Sequence, residues 1–519
     1  MDILLVVLCV IAILTFALVM RYNLHMFQLN GYKNIEHVGW LKKNWHRQNI
    51  LLITAIFSVA LLIKTSWLVA IILCLVYFID IKYYLYLKRN NSKKKLVYTK
   101  RVKRLVGTEV ILNIGISVGV YCFGGLSYTV GSIGVLILVQ PFILLLVNIL
   151  NKPIELFITN YFINDAKKKL KKVPNLTTVG VTGSYGKTSV KYYLHTLLKE
   201  KYHVLITPES YNTPMGVVKT IRESLKSTHE IFVCEMGARH VGDIKEICDI
   251  VHPHHGVITS VGPQHLETFF NMDNIIKTKF ELADSLPQEG MLFLNADNTY
   301  IYDNLTRYSN SIIYGTSENS GYYAEDIQLS QLGTEFVVVS PSGEKEKFQM
   351  RLIGAHNVIN VVGAIAIANS MGISLKELRV PVRRIQPVEH RMQMLEKGNV
   401  TIIDDAYNSN PVGSKAAVET LAMFDGTRIL ITPGMVELGA QEEEFNYKFG
   451  TYAAKCCDYI LLVGKKHTQP IRNGIEDSGF ESEKCVTFDK LDDALIYAYN
   501  IKSEDHKYIL LENDLPDNY

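Results

Sequence analysis

Lys187 and Thr188 stand near the end of VGVTGSYGKTSVK, where a short apolar run gives way to a glycine-studded turn and a helical pattern. Such a turn aims backbone N–H groups and a helix N-terminus at phosphate oxygens. Lys187 would reach the terminal phosphates of a nucleotide, and Thr188 would hold Mg²⁺. The loop is a variant. The strict phosphate-loop pattern puts a glycine five positions before Gly186, and Val181 stands there instead. The glycines fall at Gly180, Gly183 and Gly186. Gly183, Ser184, Tyr185, Gly186, Lys187, Thr188 and Ser189 are therefore the nucleotide-binding candidates.

Three more positions carry chemistry that such a loop needs. Glu235 ends the apolar run of EIFVCEMGARH, and an acid at a strand tip beside a phosphate loop is where a second Mg²⁺ ligand belongs. His265 sits in the Pro-containing turn of SVGPQHLETF, and Lys279 follows on a helical pattern, IIKTKFELADSL. Taken singly, His265 reads as a structural histidine. Lys279 reads as a surface lysine paired with Glu281 or Glu267.

The elements that must hold these residues alternate. Apolar strands at residues 178–181, 231–235, 256–260, 401–404, 428–432 and 459–463 are separated by helical patterns, which predicts parallel α/β sheets in two tandem domains. Between them, 312–314, 324–329, 334–340 and 347–353 read as antiparallel strands with a Pro-Ser-Gly turn.

The first third of the chain is different. Residues 3–20, 50–63, 67–86, 105–126 and 129–150 are apolar, each near the roughly 20 residues that cross a bilayer. They predict an α-helical membrane domain of about five spans over residues 1–150. From Lys82 to Arg104 there are ten Lys/Arg and no acid. By the bias of basic loops toward the cytoplasm, this sets the N-terminus outside and everything after residue 150 in the cytoplasm, at the plasma membrane. The first segment reads as an anchor, having no basic leader and no small-residue cleavage site. Residues 151–174, apolar on one side and lysine-rich at the end, read as an amphipathic connector near the membrane surface or a solvated linker helix.

Residues 1–172 carry 22 basic and 6 acidic side chains, and the remainder 32 and 45. Loops facing anionic lipid account for the basic excess, so nucleic acid is not an expected partner. The eight cysteines show no CxxC and no metal-ligand spacing, consistent with reduced thiols.

Taken together, VGVTGSYGKTSVK, SYNTPMGV, FVCEMGARHVGDI, ITSVGPQHLETF, TKFEL, GAHNVINVVGAIAIA, DDAYNSNPVGS and GMVELG resemble the Mur ligase family, from about residue 175 to the C-terminus. DDAYNSNP and GMVELG look most like its MurF branch, which adds D-alanyl-D-alanine to a UDP-linked muramoyl-tripeptide. The resemblance implies a central ATP-binding domain at 175–385 and a Rossmann-like C-terminal domain at 386–519. It implies ATP-dependent amide formation through an acyl phosphate, with two Mg²⁺ ions. Thr188 and Glu235 match the first metal site and His265 the second. Lys279 matches a lysine carrying a carbamate, which would turn a cation into an anionic ligand. Lys187 and Arg391 match residues acting on the ATP phosphates. Asn357 and Asn360 match the adenine contacts, Asp405 (or its neighbour Asp404) a ribose contact, and Tyr407 a residue packing on the nucleotide.

The implied partners are a cell-wall precursor and an amino acid or dipeptide, with membrane lipid around the spans. One departure stands out. Family members begin with a soluble domain gripping the UDP-sugar, and here the apolar segments occupy its place. A lipid-linked acceptor is the alternative this raises. A P-loop transporter would need an LSGGQ-type signature, which is missing, and a non-catalytic scaffold would not need Lys187, Glu235, His265 and Lys279.

Overall fold

A computed structural model describes residues 2–90, 95–209, 211–407 and 409–514. Lys93 and Lys94 of the basic run, Ser210 and Asn408 of the quoted motifs, and positions 515–519 lie outside the described residues. The chain divides into two compact units, one reaching Asn160 and one beginning at Tyr161.

The first unit is helical: α1 (Asp2–Leu29), α2 (Asn34–Asn44), α3 (Ile50–Ile63), α4 (Trp67–Asn90) and α5 (Lys100–Lys171). Three of these, α1, α4 and α5, are long and apolar enough to cross a membrane. At 14 residues α3 is about 21 Å long, short of the roughly 30 Å apolar thickness. It forms a fourth candidate with the preceding Asn34–Gln48, from which it is bent by 71°.

The 72 residues of α5 include both of the last two predicted spans. Gly125, at φ 71° and ψ −163°, breaks the helix, a conformation a side chain would resist. The chain then runs back on itself. Arg104 makes a two-pronged contact with Glu155 (2.7 and 2.8 Å), and Thr108 donates to Asn151 at 3.0 Å. In an unbroken helix Arg104 and Glu155 would stand about 76 Å apart. No break separates the last apolar segment from the expected connector, because Pro153 lies inside α5.

The far end of α5 belongs to the second unit. Ala166, with Phe162, Ile163 and Leu170, packs into a core with Val217, Ile221 and Ile244. Arg222 there contacts Asp165 at 2.6 Å and covers the Phe162 ring. This stretch is docked on protein, while Ile154, Phe157 and Tyr161 before it are exposed.

The larger sheet contains β1 (Thr177–Thr182), β2 (Val204–Ile206), β3 (Ile231–Glu235), β4 (His255–Ile258), β5 (Leu292–Asn295), β6 (Ile312–Gly315), β7 (Tyr322–Ser330), β8 (Gly333–Val339) and β9 (Lys345–Met350). Its order is β2-β3-β1-β4-β5-β6-β7-β8-β9. Residues 312–314 were expected to be antiparallel. They form β6, which pairs in parallel with both neighbours, and the antiparallel part starts only at β7–β8. Four apolar residues fit either pairing, and the neighbouring strand decides.

The smaller sheet contains β10 (Gln393–Lys397), β11 (Val400–Asp405), β12 (Thr427–Thr432), β13 (Tyr459–Val463), β14 (Cys485–Phe488) and β15 (Lys507–Glu512), in the order β10-β11-β15-β12-β13-β14. All pairs but β10–β11 are parallel. β1 lies between β3 and β4, so strand order reverses beside it. The crevice outside the carboxyl ends of such strands is where α/β sheets receive ligands.

Candidate active site

The glycine-rich turn joins β1 to α6 (Lys187–Leu198). A Cβ on Gly183 would lie 2.1 Å from the Thr259 hydroxyl, and Gly186 adopts φ 78°, so both positions need glycine. The turn is braced from the segment after β4. Ser184 N–H donates to the Ser260 carbonyl (2.7 Å), and Tyr185 N–H to the Ser260 hydroxyl (2.8 Å). The Ser184 hydroxyl donates to the Gly262 carbonyl (2.9 Å), and the Tyr185 hydroxyl to that of Pro263 (2.7 Å). Ser184 and Tyr185 thus spend these groups on holding the turn. The first turn of α6, with Lys187, Thr188 and Ser189, keeps N–H groups that have no acceptor within a helix.

Lys187 folds back so that its ammonium donates to the carbonyls of Gly183 (2.7 Å) and Ser184 (3.0 Å). Burial pushes it down to about 8, with Glu235 opposing the shift and Arg391 reinforcing it. The Thr188 hydroxyl donates to Glu235 Oε1 at 3.1 Å and accepts from Arg391 at 3.3 Å. Asn212 donates to the same Oε1 at 3.0 Å, and Lys191 lies 2.9 Å from Oε2. Burial alone would raise Glu235. The charges of Lys191 and Lys187, with the Asn212 hydrogen bond, outweigh burial and hold it below its usual range.

Two oxygens 3.1 Å apart on Thr188 and Glu235 match adjacent corners of a Mg²⁺ octahedron, about 3.0 Å for bonds of 2.0–2.1 Å. The residues fit the ion.

His265, at φ 52°, is hydrogen-bonded through Nδ1 to Glu437, itself at φ 65°. Glu437 comes from the loop after β12, and Arg239 holds its other oxygen at 3.2 Å. Two non-glycine residues in left-handed conformations therefore meet across the junction of the two sheets, the kind of strain that gathers at functional sites. Burial lowers His265. Glu437 is held low because the hydrogen bond from His265 and the Arg239 charge outweigh its burial. A neutral imidazole that donates Nδ1–H keeps its Nε2 lone pair for a ligand.

Lys279 is 2 % exposed and forms no hydrogen bond or ion pair with a described residue. Burial, reinforced by Lys187, pushes it well below the ordinary lysine range. The surface pairing with Glu281 does not occur, because Glu281 accepts from the backbone N–H groups of Gly242 (2.7 Å) and Lys245 (2.9 Å). Among the described residues no group of three or more His, Cys, Asp or Glu side chains is poised to hold a metal. Burial favours the unprotonated amine of Lys279.

On the nucleotide side the candidates separate. Asn357 accepts from the Tyr193 hydroxyl (2.9 Å) and donates to the Ile353 carbonyl (2.8 Å), so its amide is committed to the core. This corrects its expected adenine contact. The Asn360 amide sits against Gly186. Asp404 is engaged by His390 Nδ1 at 2.7 Å and by the N–H of Ala406. Asp405 accepts from Met392 N–H at 3.2 Å, and burial raises it to about 6. Tyr407 is 46 % exposed, with the Arg391 guanidinium 4.6 Å from its ring centre.

Residues 181–368 match the Mur ligase middle domain, and 390–512 the Mur ligase glutamate ligase domain. Over 319 residues the chain is 30 % identical to the UDP-N-acetylmuramoyl-tripeptide–D-alanyl-D-alanine ligase of Escherichia coli strain K12, covering 60 % of this chain and 70 % of that one. The chain belongs to the Mur ligase family. The Mur ligases are ATP-dependent enzymes that form C–N bonds. The Bacillus subtilis strain 168 ligase of the same name is also 30 % identical, and this chain spans 62 % of its length. MurF from Acinetobacter baumannii shares the fold at a TM-score of 0.64 and 24 % identity, covering 70 % of this chain and 78 % of that one. The MurF ligase of Thermotoga maritima, solved with ADP, gives a TM-score of 0.62 at 25 % identity and covers 69 % and 80 %.

Four residues of this Mur ligase site escape a reading of the sequence. Asn212, Arg239 and Glu437 lie in the quoted motifs but announce no role. Lys191 looks like one more helix lysine, although its spacing of four from Lys187 is a signal: it puts both on one face.

Proposed function

We propose that this chain is a membrane-anchored ligase that uses ATP to join D-alanyl-D-alanine to a muramoyl-tripeptide precursor. One observation carries the reading. Lys187 and Thr188 from α6, Glu235 from β3 and Arg391 from the segment leading into the smaller sheet converge through hydrogen bonds and charge at the turn after β1.

In this reading the acceptor carboxylate attacks the γ-phosphorus of ATP and ADP leaves. The amine then attacks the acyl carbon and phosphate leaves, closing the amide. Lys187 gives up its loop carbonyls to the terminal phosphates, and Arg391 adds a second cation as charge spreads during transfer. Thr188 and Glu235 would hold one Mg²⁺, and His265 with a carbamate on Lys279 a second, which together neutralise phosphate charge. Glu437 keeps the imidazole of His265 in one tautomer. Gly183, Gly186 and Ser189 supply backbone contacts, while Asn360, Asp405 and Tyr407 border the nucleoside. The working division is a membrane domain at 1–150, a connector at 151–174, an ATP-binding domain at 175–385 and a C-terminal domain at 386–519.

The apolar helices favour a second reading, in which the acceptor is linked to a lipid. They also fit five spans if the reversal at Gly125 divides α5 in two, and the basic run before α5 argues for catalytic domains in the cytoplasm. The decisive experiment measures phosphate release by the purified full-length protein given ATP and D-alanyl-D-alanine, with either the UDP-linked tripeptide or its lipid-linked form. Release that needs both acceptor and amine supports the ligase, and the acceptor that works identifies the substrate. Release without either refutes it. A reporter after Lys95 or at the C-terminus should read cytoplasmic and one between Lys64 and Ser66 external, and the reverse would separate the site from ATP.

A further inference from the structure

Glu235 divides its two oxygens between different kinds of partner. Oε1 faces the Thr188 hydroxyl and the Asn212 amide, both neutral. Among the described residues Oε2 has no well-aligned hydrogen-bond donor, and its charged partner is the Lys191 ammonium at 2.9 Å. Lys191 is fully buried. Its ammonium also donates to the Glu209 carbonyl at 2.5 Å and stands 4.7 Å from the centre of the Tyr192 ring. It therefore has no solvated position to retreat to.

We infer that Lys191 is a positioning residue that reserves one oxygen of Glu235, leaving a single-oxygen metal ligand that selects Mg²⁺ over Ca²⁺. The inference rests on the metal site proposed at Thr188 and Glu235. Mg²⁺ takes six ligands in a tight octahedron and accepts one carboxylate oxygen readily. Ca²⁺ is larger, takes six to eight oxygens at 2.3–2.6 Å and commonly draws on both oxygens of a carboxylate. Two-oxygen ligation here would strip Lys191 of its counter-charge in a buried setting, and an unpaired buried ammonium is costly. A plain structural ion pair between α6 and β3 would hold the two elements together without affecting the choice of ion.

The test uses full-length protein in detergent and calorimetric titration of Mg²⁺ and of Ca²⁺ at saturating ADP, corrected for the affinity of free ADP for each ion. The wild type should prefer Mg²⁺ beyond the preference of ADP itself. Lys191→Met should shift the ratio toward Ca²⁺ by about ten- to a hundredfold, the range for removing a group that positions a metal ligand. Lys191→Arg, which keeps the charge, should retain most of the preference. If Lys191→Met fails to fold, Lys191→Gln removes the charge, keeps a donor toward Glu209 and carries the same expectation. An unchanged ratio in a folded neutral variant, or a wild type with no preference beyond that of ADP, overturns the role of Lys191. Failure of the wild type to bind ADP with either ion refutes the ligase reading instead.

Discussion

At the end of β3 Glu235 meets Lys191 at 2.9 Å and is held below the usual carboxylate range. At the ends of β11 and β15, Asp405 and Glu512 stand in register on adjacent parallel strands with no ion pair to a described residue. Glu512 accepts instead from the hydroxyls of Ser409 and Thr432. Burial raises Asp405 to about 6 and Glu512 to about 8. The three acids share a location, the carboxyl edge of a parallel sheet, and differ in how far nearby cations offset burial: Lys191 and Lys187 outweigh it at Glu235, and Arg391 does not at Asp405. The larger sheet favours a charged acid beside the glycine-rich turn, and burial in the smaller one favours a protonated acid. Sheet topology selects where an acid goes, and the buried neighbours select which acid it becomes.

The largest effect should come from the cationic side. Lys187→Ala is expected to lower ligase turnover by on the order of 10²–10³ or more, measured as ADP formed with acceptor and amine present. Near-normal turnover would remove the functional meaning of the charged edge. Lys279→Ala should cost on the order of a hundredfold, with part recovered by added short carboxylates that fill the vacated anion position. Lys279→Arg should not recover, since its guanidinium fills the space and carries no carbamate. Full activity in Lys279→Ala without added acid would mean that this lysine has no metal role.

Glu437→Ala should lower turnover by roughly tenfold or more, as expected for losing a carboxylate that orients a ligand histidine. The loss should be far from additive with that of His265→Ala if the two act as one unit. Additive losses would split the pair. The smallest effect belongs to the other sheet. The folded-state value of Glu512, about 8, lies above the 4.5 of a free glutamate. Its contribution to stability is therefore full at low pH and is lost as pH rises through the folded value. Glu512→Gln cannot ionise and should lose less stability than the parent between about pH 5 and about pH 8, seen as melting temperatures diverging by a few degrees. Parallel melting curves across that range would show that Glu512 is already charged.

Much of the first part of the site was legible because it is local. The turn at 183–188 is encoded by glycines within one strand–turn–helix unit, and Glu235 by its place at the end of an apolar run. The alternation of strands and helices also carried over to both sheets. Legibility failed where a side chain's role depends on distant partners. HNVIN reads as polar side chains offered to a base, but Tyr193, far away in sequence, takes the Asn357 amide. Residues 312–314 are too few to carry a pairing direction. The apolar segments of α5 and a reversal between them were visible, while the residues that meet across it, such as Arg104 and Glu155, were not.

By itself the sequence determined the turn, the strand–helix alternation, the apolar N-terminal helices and the types of the groups that stand around the turn. These follow from backbone geometry and apolar spacing within a few residues. Only the tertiary structure decided which charges are paired. Glu437 reaches His265 across 172 residues, Lys191 is drawn inside against Glu235, and Lys279 is buried with no hydrogen bond or ion pair to a described residue. The physical reason is desolvation: a charge's protonation state and ligand capacity are set by what replaces its water, and that is known only once distant segments have packed around it.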